Sequence, residues 1–391
     1  MINKIYFKNY KSFKTKQCLE IKPLTIIIGK NSSGKSAVVK IPTLIEGSLS
    51  GDFQDPVMVT NGGVELGAEF RDLIYGRQVG SLSLTLECHG NKLYVEIASG
   101  YGKSDLPKIR TWKYNKEIDL RINDKEGTYQ HKNQNIKIKF NGFNIDENSN
   151  NKYGLTVQNF NLNTNYIGPF RDVPQRTYNS MGNRVTKKIG IKGEHTYQLL
   201  ISDYLYNDSK LLTKVSNWYK ENFDGWGLQI NSRSQPDYKI ELLRENSDFS
   251  INIRDVGEGM SQVLPLVVSA FIKQDKEVLT IIEQPELHLH PAAHGNLAEL
   301  FANETLNTKK YFLVETHSKN FVLRVRRLIA EGRMNKNNVA LYFVDYDPKT
   351  NSSELRYIDI NGAGEVSYWP ENVFSESLNE IVAIRTAQLN K

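Results

Sequence analysis

The residues with the clearest chemical spacing lie near the amino terminus, in the segment GKNSSGKS at positions 29–36. Gly29, Gly34, Lys35 and Ser36 occupy every fixed position of the pattern G-x-x-x-x-G-K-[ST]. Such a loop directs successive backbone N–H groups inward, where they bind phosphate oxygens at the start of a helix. The lysine reaches the outer phosphates, and the serine hydroxyl ligates Mg²⁺. The residues that we expect to contact the phosphates or the metal are Asn31, Ser32, Ser33, Gly34, Lys35 and Ser36.

A second reactive group follows a hydrophobic stretch at residues 278–282, which ends in Glu283. In phosphate-loop ATPases an acid at this position holds Mg²⁺, either directly or through water. Another apolar stretch, at residues 311–314, runs into the segment ETHS and places His317 at the carboxyl end of a strand. Ligand contacts in α/β folds lie at such strand ends. The sequence therefore predicts ATP and Mg²⁺ as the ligands, with Ser36 and Glu283 holding the metal.

In the order of these motifs the chain resembles the ABC-type ATPases of the RecF/SMC/OLD group. The shared motifs are the phosphate loop, a Gly-Pro-Phe-Arg segment, a glycine-serine signature, an acidic strand followed by P-E-x-H-L-H-P, and T-H-S. The EQPE segment at 283–286 and Trp369-Pro370 are most similar to standalone prokaryotic AAA/ABC-hybrid ATPases of the defence-system type. The resemblance covers residues 1–50 and 250–391. It implies an α/β fold in which a phosphate-loop, ABC-ATPase-like sheet has flanking helices and an inserted β-rich and helical lobe.

The resemblance assigns a role to VGEGMSQ, at residues 256–262, which would open a helix. In this group the signature N–H groups and serine contact the γ-phosphate held by the other subunit. Two glycines and a serine at a helix start can form an anion site, although a glycine-rich N-cap has the same local sequence. His317 resembles the switch histidine that senses the γ-phosphate; taken alone, a histidine at a strand end is more often structural. The signature residues assigned to the nucleotide are Gly257, Gly259, Ser261 and Gln262.

The chain departs from the group directly after the acidic strand. Most of these ATPases have two consecutive acids, one for Mg²⁺ and one that polarises water, whereas this chain has Glu283 and then Gln284. An amide cannot accept a proton at neutral pH, but it can orient a water molecule. Glu286 is the alternative base. We therefore expect Glu283, Gln284, Glu286 and His317 to form the catalytic set, with ATP binding followed by slow hydrolysis.

Three histidines, at His288, His290 and His294, have a spacing that raises the question of a metal site. Zinc takes three or four protein ligands of matched geometry. His290 precedes Pro291, and proline is common at the first position of a helix. We therefore favour a loop and helix start here over a metal site.

The hydrophobic pattern indicates the elements that must position these groups. A strand at 24–28 enters the phosphate loop, and a helix at 33–44 leaves it, with Pro42 disturbing the last turn. Strands and helices alternate after residue 251, which indicates a largely parallel sheet covered by helices. The elements predicted there are helices at 259–273, 291–303 and 318–332 and strands at 278–282, 311–315 and 339–345. Alternating runs that predict antiparallel strands lie at 81–87, 92–97 and 136–140, and a hairpin is predicted at 228–230 and 238–243.

These elements suggest four segments along the chain. The predicted segments are the first part of the ATPase core (1–63), a β-rich lobe (64–165), a helical and hairpin insertion (166–250), and the second part of the core (251–391). The last segment carries the signature, the acidic strand and the switch histidine.

Composition excludes several other classes of protein. Among 391 residues, 39% are hydrophobic and 10% aromatic, which is typical of globular rather than disordered chains. The net charge of +6 only mildly favours nucleic acid. Two cysteines, Cys18 and Cys88, suit a reducing cytoplasm. We expect neither a signal peptide nor a membrane span, because no apolar run approaches 18 residues.

The leading hypothesis is a nucleotide-dependent switch. ATP would join two subunits head to tail, each phosphate loop facing the signature of the other, and the closed homodimer would regulate a nuclease or toxic effector in anti-phage defence. The stretch after Asp345 is too short for a nuclease domain, so we expect that activity in a partner. The alternative is a DNA-repair or DNA-binding clamp of the RecF/SMC type, with nucleic acid as a further partner. A transporter ATPase is disfavoured by the P-E-x-H-L-H-P motif.

Overall fold

The computed structural model describes residues 1–100, 106–123, 128–155, 157, 160–180, 187–306, 309–370, 373–374 and 376–389. The helices in this part of the chain are α1 (Lys35–Leu49), α2 (Glu147–Tyr153), α3 (Thr196–Tyr206), α4 (Lys210–Asn222), α5 (Glu258–Phe271), α6 (Pro291–Thr305), α7 (Lys319–Ala330) and α8 (Glu376–Leu389).

The strands before the middle of the chain are β1 (Lys4–Lys8), β2 (Gln17–Glu20), β3 (Leu24–Gly29), β4 (Thr60–Asn61), β5 (Val64–Glu65), β6 (Ser81–Cys88), β7 (Asn91–Ala98), β8 (Lys108–Tyr114), β9 (Ile118–Asn123), β10 (Thr128–His131), β11 (Gln134–Ile136), β12 (Phe140–Asn141), β13 (Asn144–Ile145), β14 (Thr164–Ile167) and β15 (Tyr178–Asn179). The later strands are β16 (Trp226–Ser234), β17 (Asp237–Arg244), β18 (Ser250–Asn252), β19 (Val278–Glu283), β20 (Lys310–Glu315), β21 (Val339–Asp347) and β22 (Ser352–Ile358).

A six-stranded, mainly parallel sheet forms the centre of the molecule, in the order β14-β19-β20-β3-β21-β22. Only β22 runs antiparallel, as the partner of β21. The residues of β19 are all buried, which is expected of a parallel sheet that is covered on both faces. On one face Ile27 and Ile281 pack with α1, and on the other Ile28 and Ile282 pack with the core formed by α5, α6 and α7. The buried acids Glu283 and Glu315 lie where β19 and β20 end.

An eight-stranded antiparallel sheet covers the α1 side, in the order β11-β10-β9-β8-β7-β6-β1-β2. Its strands alternate, as β6 shows, with Leu82, Leu84 and Leu86 buried and the intervening residues partly exposed. The runs at 81–87 and 92–97 are strands, as predicted. Because β6 pairs with β1, this sheet joins residues after position 64 to the amino-terminal hairpin. The division into four segments stays a prediction.

The predicted strand at 136–140 is wrong. β11 ends at Ile136, and β12 begins only at Phe140. The N–H groups of Lys137 and Lys139 instead donate to the side chains of Tyr153 and Ser149, on α2. Side-chain acceptors from a neighbouring helix therefore replace the strand partner that the alternation suggested.

Helix α1 extends further than the sequence indicated. Pro42 lies inside it, and the helix continues to Leu49. Proline removes one hydrogen bond, but the residues after it remain helical because Leu44, Ile45 and Leu49 are buried in the core. Packing outweighs the local cost of proline at this position.

Helices α3 and α4 pack beside a hairpin that connects the edge of the parallel sheet to α5. The hairpin is present as predicted; β16 pairs with β17 in antiparallel register, and Leu228 lies opposite Leu242. Helix α4 contacts both β16 and α5. This small unit therefore supports the start of α5, where the signature segment lies.

Candidate nucleotide-binding site

The phosphate-loop segment lies between β3 and α1 at the carboxyl edge of the parallel sheet. Gly34 caps α1 with φ of 102°, in the region that favours glycine, and a Cβ there would collide with Ser12. The first turn of a helix leaves N–H groups without helical acceptors, so they can bind an anion. Lys35 is buried, and its Nζ donates to the Lys30 carbonyl at 2.7 Å. The loop is thus folded with its ammonium group turned inward.

Burial also alters the charge balance at Lys35. Desolvation lowers the pKa of its ammonium group, while the nearby carboxylates of Glu315 and Glu286 act in the opposite direction. A bound phosphate would add to the stabilisation that these carboxylates give to the buried ammonium.

Ser36 contacts an acid that the sequence analysis did not assign to the site. Its hydroxyl donates to Glu315 Oε2 at 3.0 Å, with Oε1 at 3.3 Å. Glu315 is the last residue of β20, between β3 and β19, and it lies opposite Glu283 in the parallel register. Burial and the charge of Glu283 raise the pKa of Glu315 to about 7. The sequence contained one signal for a role of Glu315: this residue ends a buried strand, as Glu283 does.

The carboxylate of Glu283 is held from the other side of the site. Tyr166, on β14, donates its hydroxyl to Glu283 Oε1 at 2.6 Å. Burial raises the pKa of Glu283, and the Tyr166 hydrogen bond opposes the shift. No hydrogen bond joins Ser36 to Glu283 within the described residues. The predicted metal pair therefore shares one edge of the sheet, with Glu315 between its members.

The turn after β19 is fixed through its backbone. Gln284 has φ of 46°, and its N–H donates to the Glu315 carbonyl at 2.8 Å. Arg171 Nη2 donates to the carbonyls of both Glu283 and Gln284 at 3.1 Å. Arg171 is 6% exposed, and in the described part of the chain its Nε and Nη1 have no hydrogen-bond partner. The Gly-Pro-Phe-Arg segment, which signalled only a resemblance, thus supplies the clamp on this turn.

Glu286 and His317 lie together, as members of the predicted catalytic set. Glu286 Oε1 accepts the His317 N–H at 2.5 Å, and Oε2 accepts the Thr316 hydroxyl at 2.8 Å. Burial raises the pKa of Glu286, and these hydrogen bonds oppose the shift. Burial and the charge of Lys35 lower the pKa of His317, which favours a neutral imidazole. Glu286 therefore holds the segment that carries the histidine.

The signature segment begins α5, with Gly257 as its N-cap. Gly259 lies so close to the loop after β19 that a Cβ would be 2.8 Å from the His288 carbonyl oxygen. Ser261 and Gln262 are buried; the former donates to Glu258 O at 3.1 Å, and the latter donates to Arg171 O at 3.3 Å. In the described residues no hydrogen bond joins these four signature residues to the phosphate loop. Their contacts are instead with α5 itself, with Arg171 and with the loop after β19.

The three histidines near the signature make separate contacts. His288 Nδ1 is 3.0 Å from Glu258 Oε2, and His294 Nδ1 is 2.8 Å from Ser318 Oγ. His290 caps α6 by accepting the Ala292 N–H. These histidines therefore hold the loop against its neighbours.

The donors present fit ATP with Mg²⁺. The loop N–H groups and Lys35 suit phosphate oxygens, while Ser36, Glu283 and Glu315 supply hard oxygen ligands. Within the described residues no group of three or more His, Cys, Asp or Glu side chains could hold a metal alone. Magnesium commonly combines one or two carboxylates with substrate phosphates and water. When bound, it would neutralise charge on the phosphates of the nucleotide.

Comparison with known proteins places the chain in a family. A family model described as "AAA ATPase domain" matches residues 1–322. The chain belongs to the AAA ATPase domain family. A second model, described as "Protein of unknown function (DUF3696)", matches residues 334–384 of this ATPase. No curated protein matches the chain.

Solved structures show the fold of this AAA ATPase. An SMC head bound to the C-winged helix domain of ScpA has a TM-score of 0.51 at 11% identity, over 92% of this chain and 98% of that chain. An SMC head with an extended coiled coil, bound to the C-terminal domain of ScpA derived from Pyrococcus furiosus, has a TM-score of 0.47 at 12% identity, covering 98% and 99%. The first similarity confirms the predicted α/β, phosphate-loop ABC-like fold. Among the described helices, none is both long and apolar enough to cross a bilayer.

Proposed function

We propose that this ATPase is a slowly hydrolysing, nucleotide-dependent switch whose ATP sites are completed between two copies of the chain. The proposal is supported by the different contacts of the two half-sites. The phosphate loop shares the sheet edge with Glu283, Glu315 and His317, whereas the signature start of α5 has no hydrogen bond to it in the described residues. A second copy, turned head to tail, would present its Gly257 end to the phosphates bound by the first.

Slow hydrolysis follows from the groups around the turn after β19. Gln284 replaces the acid that would accept a proton from water, and the two oxygens of Glu286 already accept hydrogen bonds from Thr316 and His317. A closed dimer would therefore persist until a trigger opens it. ATP and Mg²⁺ are the proposed ligands.

The output of the switch is proposed from the motif resemblance. Chains with the E-Q-P-E and W-P segments resemble ATPases of defence systems, so a nuclease or toxic effector is the proposed partner in anti-phage defence. We place this activity in the cytoplasm, where Cys18 and Cys88, both free thiols, would remain reduced.

Cysteine crosslinking tests the two-copy site directly. Asn31 is exposed in the phosphate loop, and Gly257 is exposed with no atom within 4 Å of the position that a Cβ would take. Both positions therefore accept cysteine in a background without Cys18 and Cys88. Proteins carrying Asn31→Cys and Gly257→Cys on separate copies should crosslink with a short bifunctional reagent only when ATP and Mg²⁺ are present. Crosslinking to the same extent with and without nucleotide, or no crosslinking although ATP binds, would contradict an ATP site shared between two copies.

A variant with a matched control separates assembly from nucleotide binding. Gly257→Glu places a negative charge where the partner's phosphates would lie, so it should prevent crosslinking while leaving the ATP affinity of the separate subunit unchanged. Ser247→Glu, in an exposed turn, is the control that should behave as the wild type. If both variants assemble equally, the signature face is not the interface.

The second candidate function, a nucleic-acid-binding ATPase, is favoured by the outer face of the eight-stranded sheet. Two adjoining grooves there, with volumes of about 740 and 520 Å³, share Tyr94 and Glu96. The basic residues that line them are Lys8, Lys14, Lys16, Arg110, Lys113 and Arg121. Exposed lysine and arginine bind phosphate backbones in a salt-dependent way.

Titration with nucleic acid tests this candidate. Single- and double-stranded DNA and RNA should be titrated against the wild type and against a Lys8→Glu, Arg110→Glu variant at two salt concentrations. Equal weak binding by both proteins would reject a nucleic-acid-binding function for this face.

A further inference from the structure

The middle strand of the site ends in an acid that the two predicted metal ligands do not explain. β20 lies between β3 and β19, so its last residue, Glu315, falls between the phosphate loop and Glu283. Glu315 is 3% exposed. Charged side chains are seldom buried to this extent unless a partner compensates them. The contacts of Glu315 show which partner compensates its charge.

The direct contacts of Glu315 point to the phosphate-loop serine. Ser36 Oγ donates to Glu315 at 3.0 Å, across 279 positions of sequence. A serine hydroxyl has one proton to donate and two acceptor lone pairs. The hydrogen bond to Glu315 occupies the proton and turns the lone pairs away from the carboxylate. The hydroxyl is therefore oriented to ligate a cation.

The charges around this contact are unbalanced. Glu315, Glu283 and Glu286 are all largely buried at the sheet edge, and Lys35 is the cation that acts on Glu315. Glu286 is compensated by donors from Thr316 and His317, and Glu283 by Tyr166. Glu315 has the Ser36 hydroxyl and the more distant Lys35 charge. A divalent cation brought by a nucleotide would neutralise this excess of negative charge.

From these contacts we propose that Glu315 is a metal-site carboxylate, which orients the Ser36 hydroxyl and supplies negative charge for the Mg²⁺ of a bound nucleoside triphosphate. Glu283 then acts on the same ion from the next strand. The inference rests on the proposed ATPase function and extends it by one residue. Since no group of three or more acids, histidines or cysteines in the described chain could hold a metal alone, the ion should bind only together with the nucleotide.

Equilibrium binding of a fluorescent ATP analogue tests the proposal without measuring turnover. Affinity is measured in EDTA and across a Mg²⁺ titration for the wild type, Glu315→Gln and Glu315→Asp. Glu315→Gln keeps an acceptor for Ser36 but removes the charge, so affinity in EDTA should be equal to or tighter than that of the wild type. For Glu315→Gln, the Mg²⁺ concentration that gives half of the Mg²⁺-dependent gain in nucleotide affinity should be about 10- to 100-fold higher than for the wild type. Glu315→Asp, which retains the charge, should lie between the two proteins.

The control is Glu304→Gln, which removes a carboxylate that pairs with Lys310 at the opposite end of β20. It should leave the Mg²⁺ titration unchanged. A second readout is the paramagnetic resonance signal of Mn²⁺, which should be immobilised by the wild type only with nucleotide and less so by Glu315→Gln.

The outcomes separate this inference from the function beneath it. If the wild type binds the nucleotide with a Mg²⁺ dependence and Glu315→Gln shows the same midpoint, Glu315 is not in the metal site, and the ATPase proposal stands. If the wild type binds no nucleotide, the proposed function fails and the inference fails with it. If Glu315→Gln does not fold, Glu315→Asp decides: an unshifted midpoint overturns the proposal, and a raised one supports it.

Discussion

The buried acids of the parallel sheet lie at its carboxyl edge, whereas the eight-stranded antiparallel sheet spreads its charged groups over one face. In the parallel sheet the buried acids Glu283 and Glu315 end neighbouring strands, and burial raises the pKa of both. On the antiparallel face, by contrast, Lys113 pairs with Asp119 at 2.8 Å in partial contact with solvent. The acids at the edge of the parallel sheet are shielded from solvent, so a bound ligand would be needed to stabilise their charged form. Charges on the face are already screened by water.

The difference follows from how each sheet is covered. Helices and the second sheet cover both faces of the parallel sheet, so a polar side chain can face an open site only where a strand ends. The antiparallel sheet packs on α1 with one face and leaves the other open, so every second residue can be polar. The ionisable side chains at the edge of the first sheet are therefore few and strongly coupled, while those on the open face of the second are many and nearly independent.

The largest expected effects concern hydrolysis at the edge of the parallel sheet. Wild-type turnover should be well below about 10 s⁻¹, a typical enzyme value. Gln284→Glu would add a proton acceptor and should raise turnover by about 100-fold or more, because a general base contributes about 10²- to 10⁴-fold. Glu283→Gln should instead weaken Mg²⁺ binding and thereby abolish hydrolysis. Steady-state phosphate release measures both variants. Glu96→Gln, on the antiparallel face, should leave the rate unchanged.

The competing assignment makes Glu286 the base. In that case Gln284→Glu changes little and Glu286→Gln silences the enzyme. The geometry favours the first assignment, because Glu286 holds Thr316 and the His317 backbone. Unchanged rates in all three variants would place the hydrolytic centre elsewhere.

Loss of the phosphate-loop ammonium should have the next largest effect. Lys35→Ala removes a charge-assisted phosphate contact and should weaken ATP binding by about 3 kcal/mol, roughly 100-fold. Calorimetric titration measures this loss, and circular dichroism confirms that the variant is folded. Lys113→Ala, in the antiparallel sheet, is the matched removal of an ammonium group and should not alter ATP affinity. Equal ATP affinities for Lys35→Ala and the wild type would show that the nucleotide does not bind at this loop.

One glycine in each of the two regions allows them to be compared through the free energy of unfolding. Gly34 and Gly90 both have positive φ, at 102° and 84°, but only Gly34 has close neighbours, in Ser12 and Phe13. Gly90→Ala should cost about 1 kcal/mol from backbone strain alone. Gly34→Ala should cost more and should also weaken ATP binding, because the loop must shift. Urea unfolding and nucleotide titration of the two variants test this order; a smaller loss for Gly34→Ala would contradict it.

The smallest expected effect belongs to the surface of the antiparallel sheet. Asp119→Ala breaks the ion pairs with Lys113 and Arg121 and should change the free energy of unfolding by less than about 1 kcal/mol, since all three side chains are partly exposed. Chemical denaturation at low and high salt should show that the small difference shrinks as salt is added. A loss of several kcal/mol would mean that this face is not independent of the core.

The contiguous parts of the site were readable from the sequence. The phosphate loop needs only consecutive residues, from Gly29 to Ser36, because its anion site is formed by local backbone. The strand before it and the alternating β6 and β7 were also predictable, since burial follows the period of the pattern. Strand–helix alternation after residue 251 predicted a largely parallel sheet covered by helices, and the motif resemblance supplied the ABC-ATPase-like part of the fold prediction.

Only the tertiary structure decided which distant residues meet. The Ser36–Glu315 contact depends on β20 lying between β3 and β19, and the Arg171 clamp depends on β14 lying at the edge next to β19. Strand order and register are not local properties: each residue gains its neighbours from segments far away in sequence. The continuation of α1 through Pro42 has the same origin, because burial in a shared core outweighed a local propensity.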